Sequence, residues 1–194
     1  TLACGLSACG GTPLVFDDAT PFGPVSDDEV TGLSNSFDQL SSQVLSLSPT
    51  PSGGMDTTGR ATFTGMAEMT VSPTSTSDSM TLIGDAVLIA NFETRAVTAS
   101  MDNFAGVDMS GAAQRLDGRL TMNDGSIGAL TSNSLVGTFQ GTLAATDFVV
   151  VTNGQLDGTF RDTPTTALSF TGVDDTASIN GEGAQLTLSG IAQD

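Results

Sequence analysis

The sequence predicts an all-β fold: a small antiparallel eight-stranded barrel with an N-terminal arm and one amphipathic helix. Three observations carry that reading. From residue 57 onward, apolar and polar residues alternate with a period of two, the pattern of strands with one buried and one wet face. Turn residues cut the alternating stretches into short pieces. Glycines recur on the same face as Phe and Leu, where they let strands bend and leave room for a neighbouring ring, as a small closed barrel requires.

In chain order, the elements are an arm at 1–25, a helix at 26–48, a linker at 49–56 and the barrel at 57–194. The arm contains Leu6-Ser7-Ala8-Cys9-Gly10, which resembles a bacterial lipoprotein box. In such boxes a peptidase closes around small residues, cuts before the Cys, and the thiol carries lipid. Cys9 is therefore the candidate lipidation site, and lipid there would be the membrane attachment. Gly10 and Gly11 follow it without an adjacent Asp, which fits export to the outer membrane. Cys4 is the other cysteine of the chain, and a Cys4–Cys9 bridge is the competing fate. Leu14, Val15 and Phe16 form an apolar run that could add as a strand to a neighbouring subunit.

The helix announces itself at Ser26-Asp27-Asp28-Glu29, a capping box with Ser26 as N-cap. Val30, Leu33, Phe37, Leu40, Val44 and Leu47 then recur at intervals of 3 or 4, one face of a helix that Ser48-Pro49 ends. That stripe is expected to pack on the sheet. In the first strand Gly59, Ala61, Phe63, Gly65, Ala67, Met69 and Val71 share the inner face, with Met66 breaking the outer one. Met80–Phe92 is apolar on both faces, so the helix is expected to cover Ile83, Val87 and Ile89; the alternative is an exposed patch. Ser72-Pro73, Asn123-Asp124-Gly125, Asn153-Gly154 and Asp162-Thr163-Pro164 read as turns. The inner faces supply Phe, Leu, Met, Ala and Gly, so the barrel should be filled.

Composition narrows the chemistry. With 5 basic and 22 acidic residues the net charge is -17, which repels nucleic acid and anionic lipid surfaces. There is no His, Trp, Tyr or Lys. A Ser-His-Asp triad, a Cys-His dyad, a Schiff-base lysine and a His-held metal or haem are thereby excluded. No cofactor or metal is expected. Carboxylate-only hydrolysis would need two acids with opposed pKa shifts in a cleft. No apolar run reaches the eighteen residues that suggest a membrane-spanning helix.

Other clusters have plain explanations. Asp17-Asp18, Asp27-Asp28-Glu29 and Asp174-Asp175 lack the Asp-x-Asp-x-Asp-Gly spacing of a calcium loop and read as solvated charge, with the second also suiting a helix N-terminus. Arg115 and Arg119 could hold an anion, although salt bridges to acids are the simpler expectation. The scattered Met residues suit core filling rather than copper.

Gly59-Arg60-Ala61-Thr62-Phe63-Thr64-Gly65 resembles the opening barrel strand of the transferrin-binding protein B family. Gly84-Asp85-Ala86-Val87-Leu88-Ile89-Ala90-Asn91-Phe92 resembles that family's next strand. Gly137-Thr138-Phe139-Gln140-Gly141 and Leu156-Asp157-Gly158-Thr159-Phe160 resemble its closing strands. The likeness covers 57–194, and a lipobox also belongs to the family. It implies a single lobe-like barrel on a surface lipoprotein, with capture of host proteins as the family's work. The His and Tyr that would ligate haem directly, as in haemophore-like relatives of such barrels, are absent here, and no binding residue carries over. The expected function is thus a non-catalytic, surface-exposed outer-membrane lipoprotein of a Gram-negative bacterium that binds a protein or small ligand through its barrel. The alternative is a structural subunit of an extracellular assembly.

Overall fold

The computed structural model describes residues 25–51, 53–128 and 133–194. Cys4, Cys9, the Leu14-Val15-Phe16 run and Asp17-Asp18 lie outside them. Helix α1 spans Asp27–Ser46, and the Ser26 hydroxyl accepts from the Glu29 amide at 3.2 Å, which satisfies one of the open N–H groups of the first turn. At the other end the Leu47 amide turns back to the Val44 carbonyl at 3.1 Å, and the helix ends at Ser46, three residues before Pro49.

Ten strands follow: β1 (Arg60–Pro73), β2 (Met80–Asn91), β3 (Ala96–Val107), β4 (Ala113–Arg115), β5 (Asp117–Ile127), β6 (Ser134–Ala144), β7 (Val149–Arg161), β8 (Ala167–Asp174), β9 (Ser178–Ile179) and β10 (Glu182–Gln193). Eight of them make a closed antiparallel barrel in the order β1-β2-β3-β5-β6-β7-β8-β10, with β10 returning to pair with β1 from Thr64↔Gln193 to Pro73↔Ala184. Short β4 extends beside β3, and β9 bridges β7 and β10. Closure leaves none of the eight staves with an unpaired edge.

The interior is filled, as the inner-face residues predict. Phe63, Phe104, Phe139, Phe160, Met69, Met101 and Met122 are fully buried. Phe160 meets the rings of Phe63 at 5.9 Å and Phe92 at 6.0 Å in tilted contacts. Glycine makes this density possible. The Phe139 ring occupies space that a Cβ would claim on Gly154 and Gly172, at 2.6 and 2.7 Å from ring carbons. Phe170 lies over Gly190, its cross-strand partner, still more closely.

Several local expectations are corrected. Asn123-Asp124-Gly125 is a bulge inside β5, not a turn: the register with β6 shifts between Met122 and Ser126, and the Asp124 carboxylate takes the Thr138 amide at 2.8 Å. The residues that favour turns also favour bulges. Asn153-Gly154 sits within β7 with its pairing to β6 unbroken, because Gly154 is there to seat Phe139. Gly59 precedes β1 at φ 86° and is exposed rather than inward-facing. Asp162-Thr163-Pro164 does turn the chain from β7 to β8, with Asp162 at φ 73°.

Helix α1 lies across the outside of the barrel. Phe37 and Val44 are buried in a second cluster with Met66, Ile83, Ala167 and Ile191, flanked by Leu33, Leu40 and Leu47. Met66, the residue that broke the outer pattern of β1, points into this cluster. The helix reaches Ile83 of β2 but leaves Val87 and Ile89 exposed, so β2 is covered on both faces only at one end. The helix crosses the strands rather than following β2, and one crossing covers one level of the wall.

Candidate functional site

Among the described residues the barrel interior is filled by side chains, and a concavity lies against its outside. Between α1 and the outer wall of β7, β8 and β10 runs a groove of about 480 Å³. Phe37, Ser41 and Leu45 form the helix wall, and Leu45 is 54% exposed. The barrel wall presents hydroxyls from Thr159, Ser169, Thr171 and Ser189, together with Ile191, Asp157 and Arg161. Alternation explains the contrast. Each of these strands sends Leu inward, joined by Phe in β7 and β8, and Ser or Thr outward, so the groove pairs an apolar side with a hydrogen-bonding one.

The helix wall is fixed at both ends. Arg161 donates through Nε to the Ser169 hydroxyl at 2.9 Å and through Nη1 to the Leu47 carbonyl at 2.9 Å. The last turn of α1 has no basic residue of its own, so Arg161 supplies the cation that the negative end of the helix dipole favours. Ser48–Thr50 then stitch onto the end of β7: Thr50 N to Phe160 O at 2.9 Å, Asp162 N to Ser48 O at 2.9 Å, and the Thr50 hydroxyl to Asp162 O at 2.8 Å. At the other end Glu29 pairs with Arg115 of β4. A groove held this way is preformed, and its occupant need not order it.

The other candidate residues take structural roles. Arg115 and Arg119 do not converge on an anion: Arg115 goes to Glu29, and Arg119 meets Asp102 at 2.8 Å. Asp174 is not solvated as expected. It is 4% exposed, and it accepts from the Thr152 hydroxyl at 2.7 Å, Asn153 N at 2.7 Å, and Thr176 N and hydroxyl at 2.8 Å each. Burial opposes its charge, but the bonds from Thr152, Asn153 and Thr176 outweigh that and hold the carboxyl below the ordinary range. Asp175 beside it is exposed. Met55, Met66, Met69, Met80, Met101 and Met122 are buried, consistent with core filling, whereas Met109 is exposed.

Asp85 and Asp102 face each other in register across β2 and β3. Burial pushes the Asp85 carboxyl above its ordinary value, the Asn103 amide at 2.8 Å pulls it back, and the Asp102 charge raises it again. The pair stands on the outer surface of the sheet, and Asp102 is engaged by Arg119. Two partnered acids on an outer wall lack the enclosed setting that hydrolytic chemistry would need. Among the described residues no three His, Cys, Asp or Glu side chains cluster as a metal site.

Sequence reasoning found the helix and the strands but missed the groove and the latch at Arg161. One signal was available: the last helical turn carries no cation of its own, which leaves its carbonyl end open to one from another element.

No family model matches the chain, and no curated protein matches it. Solved structures do. One is intact transferrin-binding protein B with its N and C lobes (Ap-TbpB), with a TM-score of 0.52 and 12% identity over 75% of this chain and 28% of that one. Another is the vaccine antigen transferrin-binding protein B of Haemophilus parasuis, with a TM-score of 0.50 and 12% identity over 75% of this chain and 27% of that one. The chain thus spans less than a third of the length of these structures, and at this identity the likeness is one of fold: a barrel like theirs.

Proposed function

We propose that this chain is the barrel of a non-catalytic lipoprotein, held at the outer-membrane surface of a Gram-negative bacterium by lipid on Cys9, that binds a partner protein in the groove between α1 and the β7–β8–β10 wall. The observation that carries the binding role is a filled barrel with a preformed groove on its outside. Support for the setting comes from the lipobox at Leu6–Gly10, and from the fold shared with barrels named for binding transferrin. No helix of the described residues is long and apolar enough to cross a membrane. Transferrin itself is not carried over to this chain.

A second reading is a structural subunit, in which Leu14-Val15-Phe16 of a neighbouring copy lies in the groove. The exposed Leu45 wall facing a row of hydroxyls favours it, because an extended segment presents apolar side chains to one side and backbone groups to the other. The test uses the full chain expressed in a Gram-negative host. Cys9→Ser should shift it from the membrane to the soluble fraction and remove acyl mass. Leu45→Arg should leave it on the membrane and lower partner retention. Membrane retention of Cys9→Ser would defeat the tether, and unchanged retention of the partner by Leu45→Arg would defeat the groove. Loss of ordered polymers on deleting 14–16 would favour the second reading.

A further inference from the structure

One part of the barrel wall carries no charge in a chain of net charge -17. Val87 and Ile89 of β2 point outward, 38% and 43% exposed. Val87 has Thr64 and Ser100 as its cross-strand neighbours, and Ile89 has Thr62 and Thr98. These six side chains form a largely β-branched face without an ionisable group.

Charge returns at both ends of the face. One step above Val87 and Ser100, Asp85 stands opposite Asp102. One step below Thr62 and Ile89, Arg60 stands opposite Asn91. Arg60 is exposed and makes no ion pair among the described residues. Asp102 is already engaged by Arg119, whereas Asp85, among the described residues, accepts from the Asn103 amide and feels the Arg115 charge without a salt bridge to it.

We propose that this face is where a second copy of the chain docks, through a two-fold axis that lies in the plane of the contact and runs perpendicular to the β2 strand. Two strongly acidic chains repel wherever like-charged surfaces meet, so a neutral patch flanked by charges of opposite sign is where they meet with least repulsion. A two-fold contact is self-complementary. It sets the Arg60 end of each copy over the Asp85 end of the other, the two ends lying about 20 Å apart along the strands at ~3.3 Å per residue. Each contact then buries two aliphatic side chains per copy and closes two Arg60–Asp85 pairs. The patch is smaller than the roughly 800 Å² per partner of a standard interface, so the dimer is weak and reversible. Salt screens the net repulsion more than it weakens the two pairs, and so favours association. The face lies apart from the groove, so this inference stands or falls independently of the binding proposal.

The test is sedimentation velocity of the purified chain under reducing conditions, over a wide concentration range and at low and about 0.5 M salt. The expected result is a dimer fraction that rises with concentration and with salt. Ile89→Glu, a change at an exposed position, should leave the barrel's circular dichroism intact and abolish the dimer. Arg60→Asp and Asp85→Arg should each weaken association about tenfold, and the double variant should restore it. A chain that stays monomeric throughout would overturn the proposal. So would a dimer indifferent to Ile89→Glu, or a folded double variant that fails to recover.

Discussion

Gly190→Ala tests how the barrel is packed. Gly190 pairs with Phe170 across β10 and β8, and Phe170 pairs on its other side with Gly158 of β7. A methyl on Gly190 would overlap the Phe170 ring, which is 3% exposed. Relief has to come from moving that ring or the strand, and overpacking of this kind costs about 1–3 kcal/mol. The upper half of that range is expected, because the added Cβ would lie well inside van der Waals distance of a carbon of the buried Phe170 ring. Phe170→Ala alone should cost about 3–5 kcal/mol through the cavity it leaves. Combined, the two should cost less than their sum by about 1–3 kcal/mol, since the new methyl then enters vacated space. Two glycines serve as controls. Gly183→Ala meets only the Thr74 hydroxyl at 3.3 Å and should stay within about 0.5 kcal/mol of wild type. Gly32→Ala, on the helix with nothing within 4 Å, should stabilise by about 0.5–1 kcal/mol. The chain has no Trp or Tyr, so urea unfolding is best followed by circular dichroism. A Gly190→Ala variant as stable as Gly183→Ala, or a double variant whose losses simply add, would refute the account of the inner glycines.

Further outcomes follow from the same contacts. Arg161→Ala leaves the Leu47 carbonyl and the Ser169 hydroxyl without their donor, which should cost about 1.5–3 kcal/mol and speed amide exchange in the last turn of α1 ahead of the barrel. Asp174→Ala strands the Thr152, Asn153 and Thr176 donors and should cost about 1–3 kcal/mol at neutral pH. Because the folded carboxyl of Asp174 titrates below its unfolded value, its contribution is present above the ordinary carboxylate range and lost as pH falls through the folded value. Acid titration of stability in wild type and variant should therefore converge at low pH. Asp85 has the opposite sign: its folded carboxyl titrates above the unfolded value, so its charge opposes folding as pH rises. Asp85→Asn, which keeps an acceptor for Asn103, should stabilise the chain at neutral pH and lose that advantage in acid, as measured by thermal unfolding at both pH values.

Periodicity carried most of the fold. The stripe from Val30 to Leu47 gave the helix, because burial on one face leaves a period that sequence displays. The inner faces of β1, β6, β8 and β10 gave the barrel for the same reason. Asn123-Asp124-Gly125 and Asn153-Gly154 misled because the small and polar residues that suit a turn also suit a bulge or a ring-seating position. Which of the two occurs depends on Thr138 of neighbouring β6, whose amide meets Asp124, and on Phe139 beside it, whose ring sits on Gly154. Asp174 misled similarly: its four donors lie on β7 and in the loop after β8, and a pair of adjacent acids gives no sign of them. The groove was least visible. It exists because of where α1 crosses the wall, and that is set by Met66, Ile83 and Ile191 on three different strands together with the Arg161 latch.

The central claim is that binding takes place outside a filled barrel, in the groove beside α1. The most direct measurement places a photocrosslinking residue at Leu45 and, as a control, at exposed Thr142 of β6, in the membrane-held chain on intact cells. The account predicts a discrete protein adduct from Leu45 that is absent from Thr142 and lost when the groove is blocked by Ser189→Trp. Adducts of equal yield at both positions, or none at Leu45 while the partner remains bound, would contradict it.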